Sequence, residues 1–395
     1  MSWPIQKVIA PIAPKAIVRQ RWIRAAAILV FLTFLGFYII NALHLDAQFY
    51  QLLSIVTIGM ALFGLIIYSL RCYKYGLDLD YYERYCNQAE LIELKWKNWC
   101  GNSLIIVDDK LMLPASLDKN SFINNDEFTV RKDNPALFND DQTDEVQSNE
   151  LLRELLFSMR GRFQQLLPFN EFEVFFVKEP DSFSPSYFED YWLAMGLPKE
   201  KISGFNFIPS SYMENIDNWI IQGKNKIFIV INIQLNESDV QQVKKAEYGM
   251  VLLLSNNRNL EEICCKAHLL RPLLSDFSIL SDDISDMLHY QKTVSDAQNI
   301  WCMGLNNDQL ASLTITINQQ FIAHQHNNIP QSQDITLFLG PSGRDSIWLA
   351  IALALASIEK YQEPQIVACG NQGRLILNTL APSSKVMEQV RNENV

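Results

Sequence analysis

Two uncharged apolar stretches decide the architecture of this chain: AAAILVFLTFLGFYIINAL at residues 25–43 and FYQLLSIVTIGMALFGLIIYSL at residues 49–70. A bilayer core about 30 Å thick needs roughly 20 helical residues, and each stretch is long enough. The alternatives are two buried helices of a soluble core, for which uncharged runs of this length are unusual, and a signal peptide, for which no small-residue cleavage site is present. The sequence therefore predicts a transmembrane helical hairpin over residues 25–70.

The residues that flank the hairpin are basic, whereas its turn, HLDAQ at residues 44–48, has no Lys or Arg. The flanking basic residues are Lys7, Lys15, Arg19, Arg21 and Arg24 before the first stretch and Arg71 and Lys74 after the second. Loops rich in Lys and Arg stay on the cytoplasmic side of a membrane. We therefore expect a two-pass protein of the inner membrane, with both termini and the soluble domain in the cytoplasm.

The charge and cysteine content exclude two classes of protein. The formal net charge is -11, and no basic face remains outside residues 1–24, so nucleic acid is not an expected partner. The seven cysteines form no C-x-x-C pair and do not indicate a disulfide framework. We expect free thiols in a reducing compartment.

Composition divides the chain before its long soluble region. Residues 1–24 are a basic cytoplasmic arm, and residues 71–117 are predicted to be a juxtamembrane α/β segment. Within it, residues 103–107 and 110–113 predict two strands joined by a tight turn at Asp108 and Asp109. Residues 118–150 hold nine acidic and three basic residues without the ligand spacing of a calcium loop, so we expect an acidic linker or loop.

The remaining residues predict two α/β halves, at 151–290 and 291–385, followed by a tail at 386–395. In the first half the β-branched run at 226–233 is typical of a strand buried on both faces. The other elements predicted there are helices at 151–167, 184–197 and 237–248 and strands at 173–177 and 250–254.

The second half shows the same alternation of elements. We expect strands at 299–303, 334–339, 365–368 and 374–380 and helices at 308–323 and 346–361. The helix at 346–361 is apolar almost all round, so it is predicted to lie inside the fold, between layers of sheet. Glycines in residues 369–373 favour a hairpin turn between the last two strands.

Two α/β halves of similar order around a buried helix resemble the thiolase and β-ketoacyl synthase fold. The predicted fold class is therefore a membrane-anchored α/β protein, with a two-helix transmembrane hairpin followed by a layered, thiolase-like domain. That family presents a nucleophilic Cys at the start of a buried helix and His residues from loops. The helix at 237–248 has no Cys, and residues 340–345 and 369–373 have no His, so the resemblance implies a non-catalytic relative.

An amino-terminal membrane segment before such a region is similar to the type VI secretion lipase adaptor family. The stretches that carry this resemblance are HLLRP at residues 268–272 and the helix that begins at Ser346. The resemblance implies a protein that binds a toxic effector in the cytoplasm and hands it to the spike of the secretion machine.

The loop GPSGRD at residues 340–345 is the candidate site for an anion or a partner, through Gly340, Ser342, Gly343 and Arg344. Backbone amides between a strand and a helix can hold an anion, with Arg344 assisting. The loop lacks the lysine of a P-loop and the second glycine of a nucleophile elbow around Ser342. A plain strand-to-helix turn capped by Asp345 is the competing interpretation.

The histidines and cysteines give no metal or catalytic site in sequence. Cys264 and His268 have the i, i+4 spacing of zinc ligands on a predicted helix that also holds Cys265, but no second ligand pair accompanies them. His324 and His326 are two residues apart and do not share a helix face. We therefore predict no metal, no cofactor and no catalytic residue.

Two hypotheses follow from these patterns. The first is a non-catalytic adaptor or assembly factor that binds protein partners in the cytoplasm and is held at the membrane by residues 25–70. The second is an acyl- or lipid-processing enzyme of thiolase-like or hydrolase type, for which Ser342 and Cys369 are the residues to test.

Overall fold

The computed structural model describes residues 3–8, 11–44, 46–114, 117, 119–124, 130–131, 134–138, 144–169, 171–177, 185–208, 212–222, 226–236, 244–326, 328–341, 343, 345–371 and 373–386. The chain forms two compact units. One comprises Gln6–Trp96, and the other comprises Met1–Ile5 together with Lys97–Val395. The tail predicted at 386–395 lies almost wholly outside the described residues.

The first unit is built from two long helices, α1 (Arg19–Ala42) and α2 (Ala47–Gly101), the second of which continues into the larger unit. Ring contacts pair the two helices in antiparallel order. Trp22, near the start of α1, meets Tyr68, inside α2, with 5.1 Å between ring centroids, and Phe37, near the end of α1, meets Tyr50, near the start of α2, at 6.0 Å. Both helices are long and apolar enough to cross a membrane. The prediction of two apolar helices joined by a short turn is confirmed.

The larger unit, called the α/β unit below, has two parts, and the elements of the first part follow in chain order. They are β1 (Ser103–Met112), α3 (Lys119–Asn124), α4 (Asp144–Ser158), α5 (Arg160–Leu166), β2 (Phe172–Phe176), α6 (Pro185–Ala194), β3 (Ile202–Phe207), α7 (Tyr212–Gln222), β4 (Ile227–Gln234), β5 (Tyr248–Ser255), α8 (Glu261–Cys264), β6 (Ala267–Leu270), β7 (Leu273–Ser275) and α9 (Leu280–Tyr290).

The second part follows the same alternation. Its elements are β8 (Asn299–Met303), α10 (Asn307–Ala323), β9 (Gln331–Asp334), α11 (Thr336–Leu339), α12 (Ile347–Tyr361), β10 (Gln365–Asn371) and β11 (Arg374–Ala381). Gly373 has φ +83°, which serves the tight turn between β10 and β11.

All strands that the structure describes join one mixed sheet in the order β3-β2-β4-β5-β1-β6-β11-β10-β8-β9, with β7 paired to β11. At one end β3, β2 and β4 are parallel and β5 is antiparallel to β4. At the other end β9, β8 and β10 are parallel and β11 is antiparallel to β10. The two ends of the sheet therefore repeat one arrangement, as the predicted similarity of the two halves requires.

Two clusters of apolar side chains cover the two faces of the sheet. Alternate residues of β1 show the division, with Leu104 and Ile106 in the first cluster and Ile105 and Val107 in the second. The second cluster holds α4, α5 and α6. The first holds α7 and α12, and α12 packs against strands from both ends of the sheet, including β5 and β10. The prediction that this helix lies in the interior is confirmed, whereas the separate layers of sheet predicted around it are parts of one sheet.

The hairpin predicted at residues 103–113 is wrong, because β1 is one continuous strand in the middle of the sheet. Asp108 and Asp109 do not form a turn; they pair with Leu253 and Leu252 of β5, and a shift of register between Ile106 and Asp108 accommodates them. The strand tolerates these two aspartates because basic side chains neutralise their carboxylates.

Three further predictions fail in the described residues. Part of the linker predicted at 118–150 is ordered, since α3 buries Phe122 and Ile123 and α4 begins at Asp144. The helix predicted at 237–248 is wrong over its last part, because residues 244–247 are not helical and β5 begins at Tyr248; residues 237–243 lie outside the described residues. Since β4 and β5 are antiparallel, they need no helical crossover. The strand predicted at 334–339 ends at Asp334, where α11 follows.

Candidate functional site

Two glycines of the predicted loop at residues 340–345 pack tightly on other parts of the chain. Gly340 has φ +87°, and a Cβ atom there would lie 2.7 Å from Pro135 Cα. A Cβ atom on Gly343 would lie 2.7 Å from Gln234 Oε1. Ser342 and Arg344 lie outside the described residues, so the anion-binding role of this loop stays a prediction. The lack of a side chain at these two glycines allows the close packing.

Polar groups at the start of α12 bond to neighbouring elements inside the protein. Asn232 Nδ2 donates to Tyr248 Oη at 2.9 Å and to the carbonyl of Asp345 at 3.2 Å. Ser346 Oγ lies 3.7 Å from Cys369 Sγ, and both residues are buried. These bonds fix the start of α12 against β4, β5 and β10.

Burial keeps the interior thiols protonated. It raises the pKa of Cys369 to about 11, although the Ser346 hydroxyl opposes the rise. It also raises the pKa of Cys100 to about 12 and raises that of Cys302. Because the thiolate is the nucleophile, these three cysteines are poor nucleophiles at neutral pH.

The sequence paired Cys264 with His268 on one helix, but the contact that the structure describes is between Cys265 and His268. α8 ends at Cys264, and His268 belongs to β6. Cys265 Sγ lies 3.6 Å from His268 Nε2. Glu261 Oε1 lies 3.0 Å from the same nitrogen, and Ser103 Oγ lies 3.1 Å from Nδ1. The side chain of Cys264 is outside the described residues.

His268 is the most strongly perturbed histidine that the structure describes. Burial alone would lower its pKa, but the hydrogen bonds and charges of Cys265 and Glu261 outweigh burial and raise the pKa to about 9. The pKa of Glu261 is lowered in turn, chiefly by its hydrogen bond to His268. At neutral pH the pair is therefore an imidazolium paired with a carboxylate.

Next to this cluster, a network of charges crosses the middle of the sheet. Lys266 Nζ lies 2.7 Å from Asp108 Oδ1, 2.9 Å from Asp109 Oδ1 and 2.6 Å from Glu359 Oε1. Lys119 and Arg162 complete the neutralisation of the two aspartates. Burial favours protonation of Asp108, but Lys266 and Arg162 hold its pKa below the usual value. Every charge in the network has a partner, which is the requirement for ionic groups inside a fold.

Sequence reasoning missed Ser103 and the Lys266 network because their members lie far apart in the chain. It also missed Glu261, which lies only seven residues before His268. Ser103 is 165 residues from His268, and only the pairing of β1 with β6 brings them together. No short-range spacing could have found this contact. Within the described residues, no group of three or more His, Cys, Asp or Glu side chains is placed to hold a metal ion.

Comparison with known proteins gives structural neighbours only. No protein-family model matches the chain, and no curated protein matches it. OleA from Xanthomonas campestris is similar over 71% of this chain and 98% of its own, with 9% identity and a TM-score of 0.45. The 3-oxoacyl-[acyl-carrier-protein] synthase III from Aquifex aeolicus is similar over 70% of this chain and 99% of its own, with 12% identity and a TM-score of 0.43.

A third neighbour is the oxazolomycin ketosynthase domain OzmH KS8 from Streptomyces albus. It is similar over 71% of this chain and 95% of its own, with 10% identity and a TM-score of 0.45. Similarity at this level transfers neither an active site nor an activity to this chain.

Proposed function

We propose that this chain is a non-catalytic adaptor or assembly factor of the inner membrane. Its apolar helices hold it at the membrane, and its α/β unit binds protein partners in the cytoplasm. The resemblance to the type VI secretion lipase adaptor family suggests the partners: a toxic effector and a component of the secretion machine that receives it.

The observation that carries the membrane arrangement in this proposal is a cluster in the α/β unit, formed by residues from both sides of the segment Gln6–Trp96. Trp3 is 8% exposed, and its indole Nε1 donates to the carbonyl of Pro272 at 2.9 Å. Its ring meets the Trp99 ring edge-on, with 6.3 Å between centroids. The guanidinium of Arg271 lies 4.0 Å from the centroid of the Trp99 ring.

Arg271 is itself held firmly. Its Nε donates to the carbonyl of Trp99 at 3.1 Å, and its Nη1 pairs with Asp217 at 2.5 Å. Residues on both sides of Gln6–Trp96 therefore meet in one place. The two ends of this segment lie close to each other, as expected of a two-pass hairpin whose flanks are on the same side of a membrane. The basic residues of the flanks favour the cytoplasmic side.

Hydroxyl groups within the apolar helices support a lipid environment. Thr33 donates to the carbonyl of Leu29, and Thr57 to that of Leu53, each at 2.8 Å. Such bonds to the preceding turn satisfy polar side chains where no water is present. The exposed apolar surface of both helices also needs a hydrocarbon partner.

The adaptor proposal is tested with tagged full-length protein solubilised gently from native membranes. Proteins retained with it are identified by mass spectrometry, and an unrelated two-span protein with the same tag is the control. We expect specific retention of an effector or a secretion-spike component, and failure of that effector to leave cells that lack this chain. Retention of nothing beyond the control, together with normal secretion, contradicts the proposal.

The chain of contacts from Ser103 through His268 to Glu261 favours a second candidate function, a hydrolase acting on acyl or lipid substrates. A serine, a histidine and a carboxylate that contact one another in this order are the parts of a nucleophilic triad. The raised pKa of His268 argues against it, because an imidazolium cannot take the serine proton at neutral pH. A fluorophosphonate probe that labels the wild type but not Ser103→Ala would favour the hydrolase.

A further inference from the structure

A polar cavity of about 500 Å³ lies at the β9 edge of the sheet, on the face that carries α12. Asn299 and Trp301 of β8 and Gln331 and Gln333 of β9 form its floor. α3 and the end of α12 form other parts of its wall. Its volume falls within the roughly 300–1,000 Å³ of most small-molecule sites. It is separate from the His268 cluster and from the loop at 340–345.

Carboxamides form most of the polar part of the lining. They belong to Gln298, Asn299, Asn328, Gln331 and Gln333, and apolar contact comes from Phe122, Ile123, Trp301, Ile329 and Tyr361. A carboxamide both donates and accepts hydrogen bonds without carrying charge. A wall of this composition matches a ligand that is rich in paired donors and acceptors and has apolar faces.

Ser357 supplies an independent sign that the cavity has an occupant. It lines the cavity from α12, where the other buried residues are all isoleucine, leucine, alanine or tryptophan. Its hydroxyl is fully buried and has no hydrogen-bond partner among the described residues. A buried polar group without a partner is destabilising, so alanine would suit this position better in an empty protein.

The charges at the cavity argue against an ionic ligand. The described lining contains no Lys or Arg, so a phosphate or carboxylate has no counter-charge there. Its two carboxylates already face a cation, because Lys385 Nζ lies 3.2 Å from Asp296 and 3.9 Å from Glu363. A cationic ligand would have to compete with Lys385.

We propose that this cavity binds a neutral polyhydroxylated small molecule of the sugar class. Sugar hydroxyls pair with carboxamides and with the Ser357 hydroxyl, and the C–H faces of the ring pack on the apolar side chains. The inference is independent of the adaptor function, and either can fail without the other.

The test uses full-length protein in phospholipid nanodiscs, because glycoside detergents would themselves occupy a sugar site. Thermal unfolding and titration calorimetry are recorded with a panel of neutral mono- and disaccharides, and with glucosamine and glucose 6-phosphate as charged probes. The variants are Ser357→Ala and the double change Gln331→Leu with Gln333→Leu. Gln319→Leu, at an exposed position of α10, is the matched control.

We expect at least one neutral sugar to raise the Tm of the wild type and of Gln319→Leu. Its affinity should fall about tenfold or more in the double variant and in Ser357→Ala, which corresponds to the loss of one or two hydrogen bonds. Without sugar, Ser357→Ala should unfold at the same or a higher temperature than the wild type. Binding of no neutral sugar, binding of a charged probe alone, or equal binding by all variants overturns the proposal.

Discussion

His268 is held on both sides of its ring, and its ionisation is coupled to folding. Glu261 and Cys265 face Nε2, while Ser103 faces Nδ1. Its pKa of about 9 in the fold lies above the ordinary value of 6.5. The folded protein therefore retains a proton that the unfolded chain gives up, and pH shifts the balance between the two states.

The sign of the effect follows from this difference. The stabilisation by His268 is fully present below about pH 6.5 and is lost as the pH rises through about 9. We expect the free energy of unfolding to fall by about 3 kcal/mol over that window, since one pKa unit corresponds to about 1.4 kcal/mol. Chemical denaturation of the full-length protein at a series of pH values measures it.

Two variants distinguish the effect of His268 on stability from the effects of other titrating groups. His268→Gln should be less stable at neutral pH and should lack this fall. In Glu261→Gln the free energy of unfolding should fall at a lower pH than in the wild type, because the carboxylate no longer raises the pKa of His268. A wild-type fall that persists unchanged in His268→Gln would show that another group is responsible.

At the scale of single elements, β1 shows how neighbours override a local pattern. Two adjacent aspartates between apolar runs predict a turn, since Asp is depleted in strands. In the fold, Lys119, Arg162 and Lys266 neutralise both carboxylates, and β5 and β6 pair with β1 on its two sides. These cations allow the strand to continue through the two aspartates. The local pattern could not indicate them, because they belong to other elements of the chain.

The turn before α12 gives a prediction at this scale. Gly340→Ala should lower the free energy of unfolding by about 3 kcal/mol, because it combines a glycine-only backbone conformation with a clash against Pro135. Gly373→Ala is the matched control, since φ is also positive there but no atom lies within 4 Å of the added Cβ. It should lower that free energy by only about 1 kcal/mol.

Urea denaturation of both glycine variants measures the difference. Equal destabilisation would show that the approach of Pro135 to Gly340 contributes nothing, and that the loop is free to move away. Such freedom would restore the anion-loop interpretation, which needs accessible backbone amides.

At the scale of the whole molecule, the cluster of Trp3, Trp99 and Arg271 brings together, within the α/β unit, residues that precede and follow the apolar segment at 25–70. Both ends of the apolar segment meet in the α/β unit, so the turn at residues 44–48 should be the part that reaches the far side of the membrane. The proposed topology therefore makes opposite predictions for two positions in the same segment.

Labelling with a membrane-impermeant maleimide tests this topology in intact spheroplasts. We expect Asp46→Cys to be labelled from outside, and Gln6→Cys to be labelled only after the membrane is permeabilised. The wild type, whose cysteines all lie outside the turn, is the control and should remain unlabelled in intact spheroplasts. Labelling of Gln6→Cys without permeabilisation would contradict the cytoplasmic placement of the α/β unit.

Local sequence was sufficient where one physical effect dominates a continuous segment. The apolar helices α1 and α2, the buried strands β4 and β5 and the interior helix α12 contain long runs of apolar residues, and such runs indicate an element without reference to any one neighbour. The segment β3 was missed because none of its residues is fully buried and no apolar alternation marks it. The helix α7 was missed although its buried residues Tyr212, Ile216 and Trp219 follow helical spacing.

The sequence by itself determined the two-part organisation of this protein, the alternating α/β order and the apolar character of the helix at its centre. Only the tertiary structure decided which side chains meet: Ser103 and Glu261 with His268, Lys266 with the two aspartates, Trp3 with Trp99, and the carboxamides around Ser357. The physical reason is that periodic apolar patterns are local, whereas the pairing of charges and hydrogen bonds depends on strand order and register, which bring distant residues together.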